Sequence, residues 1–126
     1  MTFTPYRPLT FRTMREGRAS DLITATNAYL DDSIKRARPR AYPVNRPADG
    51  EGAEQRWEGV RIAAVLFKQW LGEVRASNDS TADSEALEAF THRVLTYALD
   101  SETTDEFRAG FGEARASLYA FLRAGL

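Results

Sequence analysis

The chain predicts an all-α fold: a compact bundle of about four helices, with an extended N-terminal arm and a long Pro-rich loop between helices 1 and 2. Three observations carry that expectation. Four segments repeat apolar residues on one side at the period of a helix. The two later connections between these segments are short, as in a bundle of neighbouring helices. All five prolines fall in two places, ahead of the first segment and between the first and second. A length of 126 residues suits one domain burying roughly two thirds of its unfolded surface. The division read from the sequence is an arm over 1–17 and a helical-bundle domain over 18–126, with the loop 38–52 inside it.

Residues 1–16 hold Phe3, Leu9, Phe11 and Met14 without a sustained helical period, and Pro5 and Pro8 disfavour helix. Leu9 to Thr13 alternates apolar and polar closely enough to permit a short strand. The first helix is expected to start after Ser20 as N-cap, with Asp21 at the positive end of the helix dipole, and to end near Ala37. Leu22, Thr26, Tyr29, Leu30, Ser33 and Ala37 share one side of it. From Arg38 to Gly52, Pro39, Pro43, Pro47, Gly50 and Gly52 steer the chain out of helix. A loop of that length in a compact domain is usually functional or disordered.

The second helix, about Ala53 to Ala76, places Trp57, Val60, Ala64, Phe67, Leu71 and Val74 on one stripe, widened by Ile62, Leu66 and Trp70. So wide an apolar arc suits a central helix touching several neighbours, and Ile62, Leu66 and Trp70 are the expected flank for another protein. Gly59 and Gly72 each cost roughly 1 kcal/mol against Ala within a helix, which points to close helix packing. A polar turn over Asn78 to Ser84 follows, then a third helix over about Asp83 to Leu99 with Leu87, Phe90, Val94 and Ala98 on one face. Thr103 to Glu106 has the spacing of a capping box and opens a fourth helix reaching almost to Leu126. Phe107, Phe111, Ala114, Leu118, Phe121 and Leu122 form its apolar face, the cleanest in the chain.

The near-zero net charge hides a segregated chain. Residues 1–46 hold nine of the seventeen basic residues against four acidic ones, whereas residues 47–126 carry fourteen acidic against eight basic. The basic set is Arg7, Arg12, Arg15 and Arg18 in the arm, then Lys35, Arg36, Arg38, Arg40 and Arg46 around the loop. With Tyr6 and Tyr42 interleaved, these suit a nucleic-acid backbone with occasional base stacking, or an acidic protein face. Solvated helix-end charges are the plainer explanation, and fifteen Arg against two Lys also fits a GC-rich coding sequence.

Chemistry is sparse. The absence of cysteine excludes disulfides, thiolate nucleophiles and Cys-ligated metals. The single histidine, His92, lies four residues after Glu88 and seven after Glu85, one face of a helix, but the paired Glu-x-x-His motifs of carboxylate-bridged metal bundles do not occur. An exposed Glu88 and His92 pair is expected there. No G-x-S-x-G elbow supports a hydrolase, and Gly50, Gly52, Gly110 and Gly112 make only isolated G-x-G pairs. Catalytic residues, metal ligands and cofactors are therefore expected to be none. Neither a membrane span nor a secretory leader is expected, which makes the cytoplasm the expected location.

Trp57-Glu58-Gly59 resembles the W-x-G signature of small helical-hairpin secretion substrates. In that family the motif forms the turn between two helices and a Y-x-x-x-D/E signal follows; here Trp57 is expected inside a helix, and Ser101 stands four residues after Tyr97. In size, helical character and the basic surface around Arg36, Arg38 and Arg40, the chain resembles the small helical subunits of CRISPR ribonucleoprotein effectors. That resemblance implies antiviral defence and a non-catalytic role lining RNA or single-stranded DNA beside other protein subunits. The expected function is thus a subunit or adaptor of a larger, nucleoprotein-type assembly. The alternative is an inhibitor, immunity or phage anti-defence protein that covers a basic enzyme site with its acidic second half.

Overall fold

The computed structural model describes residues 6–11, 13–37, 50–77 and 82–126. It is an all-α bundle: α1 (Glu16–Arg36), α2 (Gly50–Ser77), α3 (Asp83–Thr96) and α4 (Asp105–Ala124). No strand occurs among the described residues, so Leu9 to Phe11 run along the bundle without a ladder partner. Most of the Pro-rich loop, 38–49, lies outside the described residues, as do Arg12, Arg38, Arg40, Tyr42, Arg46 and the turn residues 78–81. The last three residues assigned to that loop, 50–52, are already the first turn of α2.

α2 is the central helix and packs on all three others, as its wide apolar arc requires. It runs antiparallel to α1, where Lys68 pairs with Asp31, and to α3, where Glu73 meets Arg93 at 2.8 Å and Trp70 meets the Tyr97 ring. The core is built on Phe67, Phe90 and Phe111 with Leu30, Leu87, Leu118 and Leu122 around them. Phe67 meets the Phe111 ring nearly edge-on at 5.6 Å between centroids, the arrangement the ring quadrupoles favour.

The closest approach is between α2 and α4, and two glycines make it possible. A Cβ on Gly59 would lie 2.2 Å from the Phe107 carbonyl oxygen, and one on Gly110 would lie 1.9 Å from that of Arg56. Gly59 thus has the packing reason its helical position predicts. Gly72 does not, since nothing lies within 4 Å of the place its Cβ would take.

The arm is part of the core rather than an appendage. Phe11 is fully buried, Leu9 and Met14 pack against the cluster, and the Tyr6 ring rests on Tyr119 at 4.9 Å. Glu88 on α3 holds the arm down by accepting from Thr10 Oγ1 at 2.8 Å and from the Phe11 N–H at 2.9 Å. The expected pair of Glu88 with His92 is therefore superseded by a Glu88 bond to the arm, while His92 stands exposed.

Helix ends differ from expectation for local reasons. α1 begins at Glu16, upstream of the expected cap, with Arg15 as N-cap and Ser20 inside the helix, because buried Ala19 extends the apolar stripe one turn towards the N-terminus. Glu16 then does double duty. It fills the first turn of α1, and it caps α3 by accepting from the Asp83 N–H at 2.9 Å and from the Ser84 hydroxyl at 3.2 Å. α3 stops at Thr96 because Tyr97 turns extended to pack on Trp70 and Phe111. At α4 the N-cap is Thr104, whose hydroxyl accepts from the Phe107 N–H at 3.3 Å; the capping-box reading, centred on Thr103, is displaced by one residue.

The Glu16 carboxyl is held below its ordinary value of 4.5, first by the Asp83 N–H and next by the Ser84 backbone and hydroxyl, against an opposing effect of burial. A depressed carboxyl stabilises the fold above its unfolded value and loses that contribution as pH falls through its folded value. Glu16→Gln is therefore expected to lower the urea midpoint at neutral pH and to match the wild type in acid, once the carboxyl is protonated in both states. A difference that stayed constant across that pH range would show that the charge does not cap α3.

Candidate functional site

The arginines predicted to bind an acidic partner separate into two groups. Arg15 and Arg18 flank the start of α1, whereas Lys35 and Arg36 end it, about 25 Å away along the axis at 1.5 Å per residue. The structure does not bring these two groups onto one surface. At the arm end, Arg18 donates to the backbone oxygens of Gly125 and Leu126, both at 3.4 Å. The Tyr119 hydroxyl donates to the Arg7 carbonyl at 3.0 Å, which ties the Arg7 backbone to α4 one turn ahead of Arg123 in sequence. Arg7, Arg15, Arg18 and Arg123 are exposed, and none pairs with an Asp or Glu side chain among the described residues.

Elsewhere the cations are mostly spoken for. Arg36 pairs with Asp32, Arg56 with Glu113, Arg61 with Glu58, Lys68 with Asp31 and Arg93 with Glu73. Arg56 and Arg61 are both raised above the ordinary arginine value, chiefly by the hydrogen bonds to Glu113 and Glu58. Arg36, counted with the binding set from sequence, is thus engaged within its own helix. Exposed pairs of this kind contribute little to stability, but they remove charge from the field a partner meets.

The expected protein-binding flank of α2 is also redistributed. Trp70 is 4% exposed, packed on Phe67 and Tyr97 with the Arg93 guanidinium 4.9 Å from its ring centre, so it belongs to this chain's own core. Leu66 packs partly against the core and Ile62 is half-buried. The exposed tryptophan is Trp57, at 49%, although its place in the apolar stripe predicts burial. It flanks a pocket of about 450 Å³ between α1, α2 and α4, which Arg36 and Ala37 also line. As expected, Trp57-Glu58-Gly59 lies inside a helix and forms no turn.

A groove of about 1110 Å³ is bounded by the arm, α3 and its C-terminal extension, and α4. Pro8, Leu95, Leu99 and Phe111 give it apolar walls, with Arg108 and Arg115 on α4 and Glu85 and Glu88 on α3. Arg115 is half-buried, donates from Nη2 to the Tyr97 carbonyl, and sits 5.2 Å from the Phe111 ring centre. Burial lowers its pKa from the ordinary arginine value, with a smaller opposing effect from Tyr6. Its Nε and the hydroxyl of buried Thr91 have no hydrogen-bond partner among the described residues. Sequence reasoning missed Arg115 because an arginine on an amphipathic helix ordinarily points to solvent; its seven-residue spacing from Arg108 across Phe111 was the available signal.

Among the described residues, no group of three His, Asp or Glu side chains is placed to hold a metal, and no helix is long and apolar enough to cross a membrane. No family model, no curated protein and no solved structure matches the chain.

Proposed function

We propose that this chain is a non-catalytic subunit or adaptor of a larger assembly that contacts a nucleic-acid backbone through the cations at the arm end of the bundle. The observation that supports this reading is the division of the cations. Most arginines on the α2 and α3 faces are neutralised by neighbouring carboxylates, whereas Arg7 on the arm, Arg15 and Arg18 at the start of α1 and Arg123 in the last turn of α4 have no Asp or Glu partner among the described residues. Phosphate contacts of this type give affinity without sequence readout and release counterions, so binding weakens steeply with salt. Arg38, Arg40 and Arg46 belong to the same expected binding set and lie outside the described residues.

Anisotropy titration of a labelled oligoribonucleotide over a salt series tests the reading. Replacing Arg7, Arg15 and Arg18 with Ala is expected to reduce the slope of log K against log salt by about 0.7 for each single-strand phosphate that is no longer neutralised, with little change in melting temperature. A parallel variant of Arg38, Arg40 and Arg46 reports the loop's share. An unchanged slope in both variants would sink the nucleic-acid reading. One observation favours the alternative of an inhibitor or immunity protein: Glu85 and Glu102 are exposed with no ion-pair partner among the described residues. Loss of a protein partner on substituting Glu85, Glu102 and Glu106, with both arginine variants neutral, is the result that reading expects.

A further inference from the structure

The groove between the arm, α3 and α4 leaves a demand unmet that the cationic arm end does not explain. We propose that it binds a small organic anion, a carboxylate on a flat apolar body, with Arg115 receiving the carboxylate and Phe111, Tyr97 and Leu95 enclosing the body. This inference is independent of the reading above, because none of its residues belongs to the arm-end set.

Charge comes first. A guanidinium keeps its proton at any biological pH, so a half-buried one needs an anion to offset its lost hydration. Arg115 meets the Tyr97 carbonyl, the Phe111 ring face and the nearby Tyr6, and no carboxylate pairs with it among the described residues. The acidic residues of the groove stand on α3, and Glu88 among them is engaged by Thr10 and the Phe11 N–H. Both buried polar atoms without a hydrogen-bond partner among the described residues, Thr91 Oγ1 and Arg115 Nε, belong to residues that line this groove, although neither atom is itself exposed to it.

The shape of the groove fits such a ligand. A volume of about 1110 Å³ accommodates a molecule of metabolite or drug size, and the walls are mainly apolar. Gly112 lines the groove between Phe111 and Arg115, and nothing lies within 4 Å of the place its Cβ would occupy, so the floor there is bare helix backbone open to a flat ring. A planar carboxylate meets the planar guanidinium edge to edge, the geometry arginine favours.

The test titrates the full chain with 2-naphthoate by calorimetry, with 2-naphthamide as the uncharged counterpart. Saturable one-to-one binding of the acid is expected, with the amide weaker by about tenfold or more. Arg115→Gln should reduce affinity for the acid to that of the amide. Gly112→Leu should abolish binding of both by filling the floor, while its melting temperature holds or rises because leucine is the better helix former. Failure of the wild type to bind naphthoate saturably, equal affinity for acid and amide, or unchanged binding in Gly112→Leu would each overturn the proposal. If Arg115→Gln does not fold, the acid-to-amide ratio and Gly112→Leu still decide it.

Discussion

Phe11→Ala should cost about 3–5 kcal/mol, the usual loss when a fully buried phenylalanine is truncated and its cavity only partly collapses. A domain of this size has a stability of about 5–15 kcal/mol, so the variant would stand near the edge of folding at room temperature. The position of the ring sets the cost. Phe11 is 0% exposed and joins a cluster fed by all four helices, although it belongs to a segment with no regular structure of its own. Urea denaturation of the full chain would show the loss as a lower midpoint. A change under about 1 kcal/mol would mean that the arm leaves the bundle without consequence, contrary to its bonds with Glu88 and Tyr119.

Gly110→Ala comes next in magnitude, and its sign opposes helix propensity. Alanine at an open helix position gains roughly 1 kcal/mol over glycine. At position 110 the added methyl would meet the Arg56 carbonyl oxygen at 1.9 Å, its carbon at 2.8 Å and its Cα at 3.1 Å, all of them backbone. Rotating a side chain cannot relieve such a contact, so α2 and α4 must separate across the most extensive helix pair in the bundle. Overpacking of this kind costs about 1–3 kcal/mol, and the loosened packing around the crossing adds to it. Gly112→Ala, two residues along the same helix and facing open space, is the matched control and should stabilise by about 0.5–1 kcal/mol. Thermal melts moving in opposite directions would establish the crossing; melts moving together would refute it.

The glycines also mark where sequence reading stops. Gly59 and Gly72 carry the same expectation of close packing, yet only Gly59 meets a neighbour. Nothing local distinguishes them, because the difference is made by α4, nearly fifty residues further along the chain from Gly59. The tryptophans behave alike. Both fit the apolar arc of α2, but Trp70 is enclosed by Tyr97 and Arg93 while Trp57 stands at the rim of a pocket. Periodicity gives the direction of a side chain around its own axis; burial depends on which helices arrive there.

The sites divide in the same way. The arm arginines are legible as types, since a run of cations with few acids nearby is visible in any sequence. Their separation from Lys35 and Arg36 follows once α1 is given its length. The spacing of Arg115 from Arg108 is legible, but its half-burial is not, because that depends on Tyr97 and the arm meeting α4 at one groove.

By itself, then, the amino-acid order determined the class of the fold, the existence of all four helices and the apolar faces of α1, α3 and α4. These depend on interactions within three or four residues, which repeat along the chain and need no partner to be read. Tertiary structure alone decided that the arm enters the core, that Glu16 caps α3 across 67 residues of sequence, that Glu88 serves the arm, and that Arg115 faces a groove without a counterion among the described residues. Each of those depends on two distant segments meeting, and the meeting is set by how the helices fit together, most tightly where Gly59 and Gly110 let α2 and α4 come close.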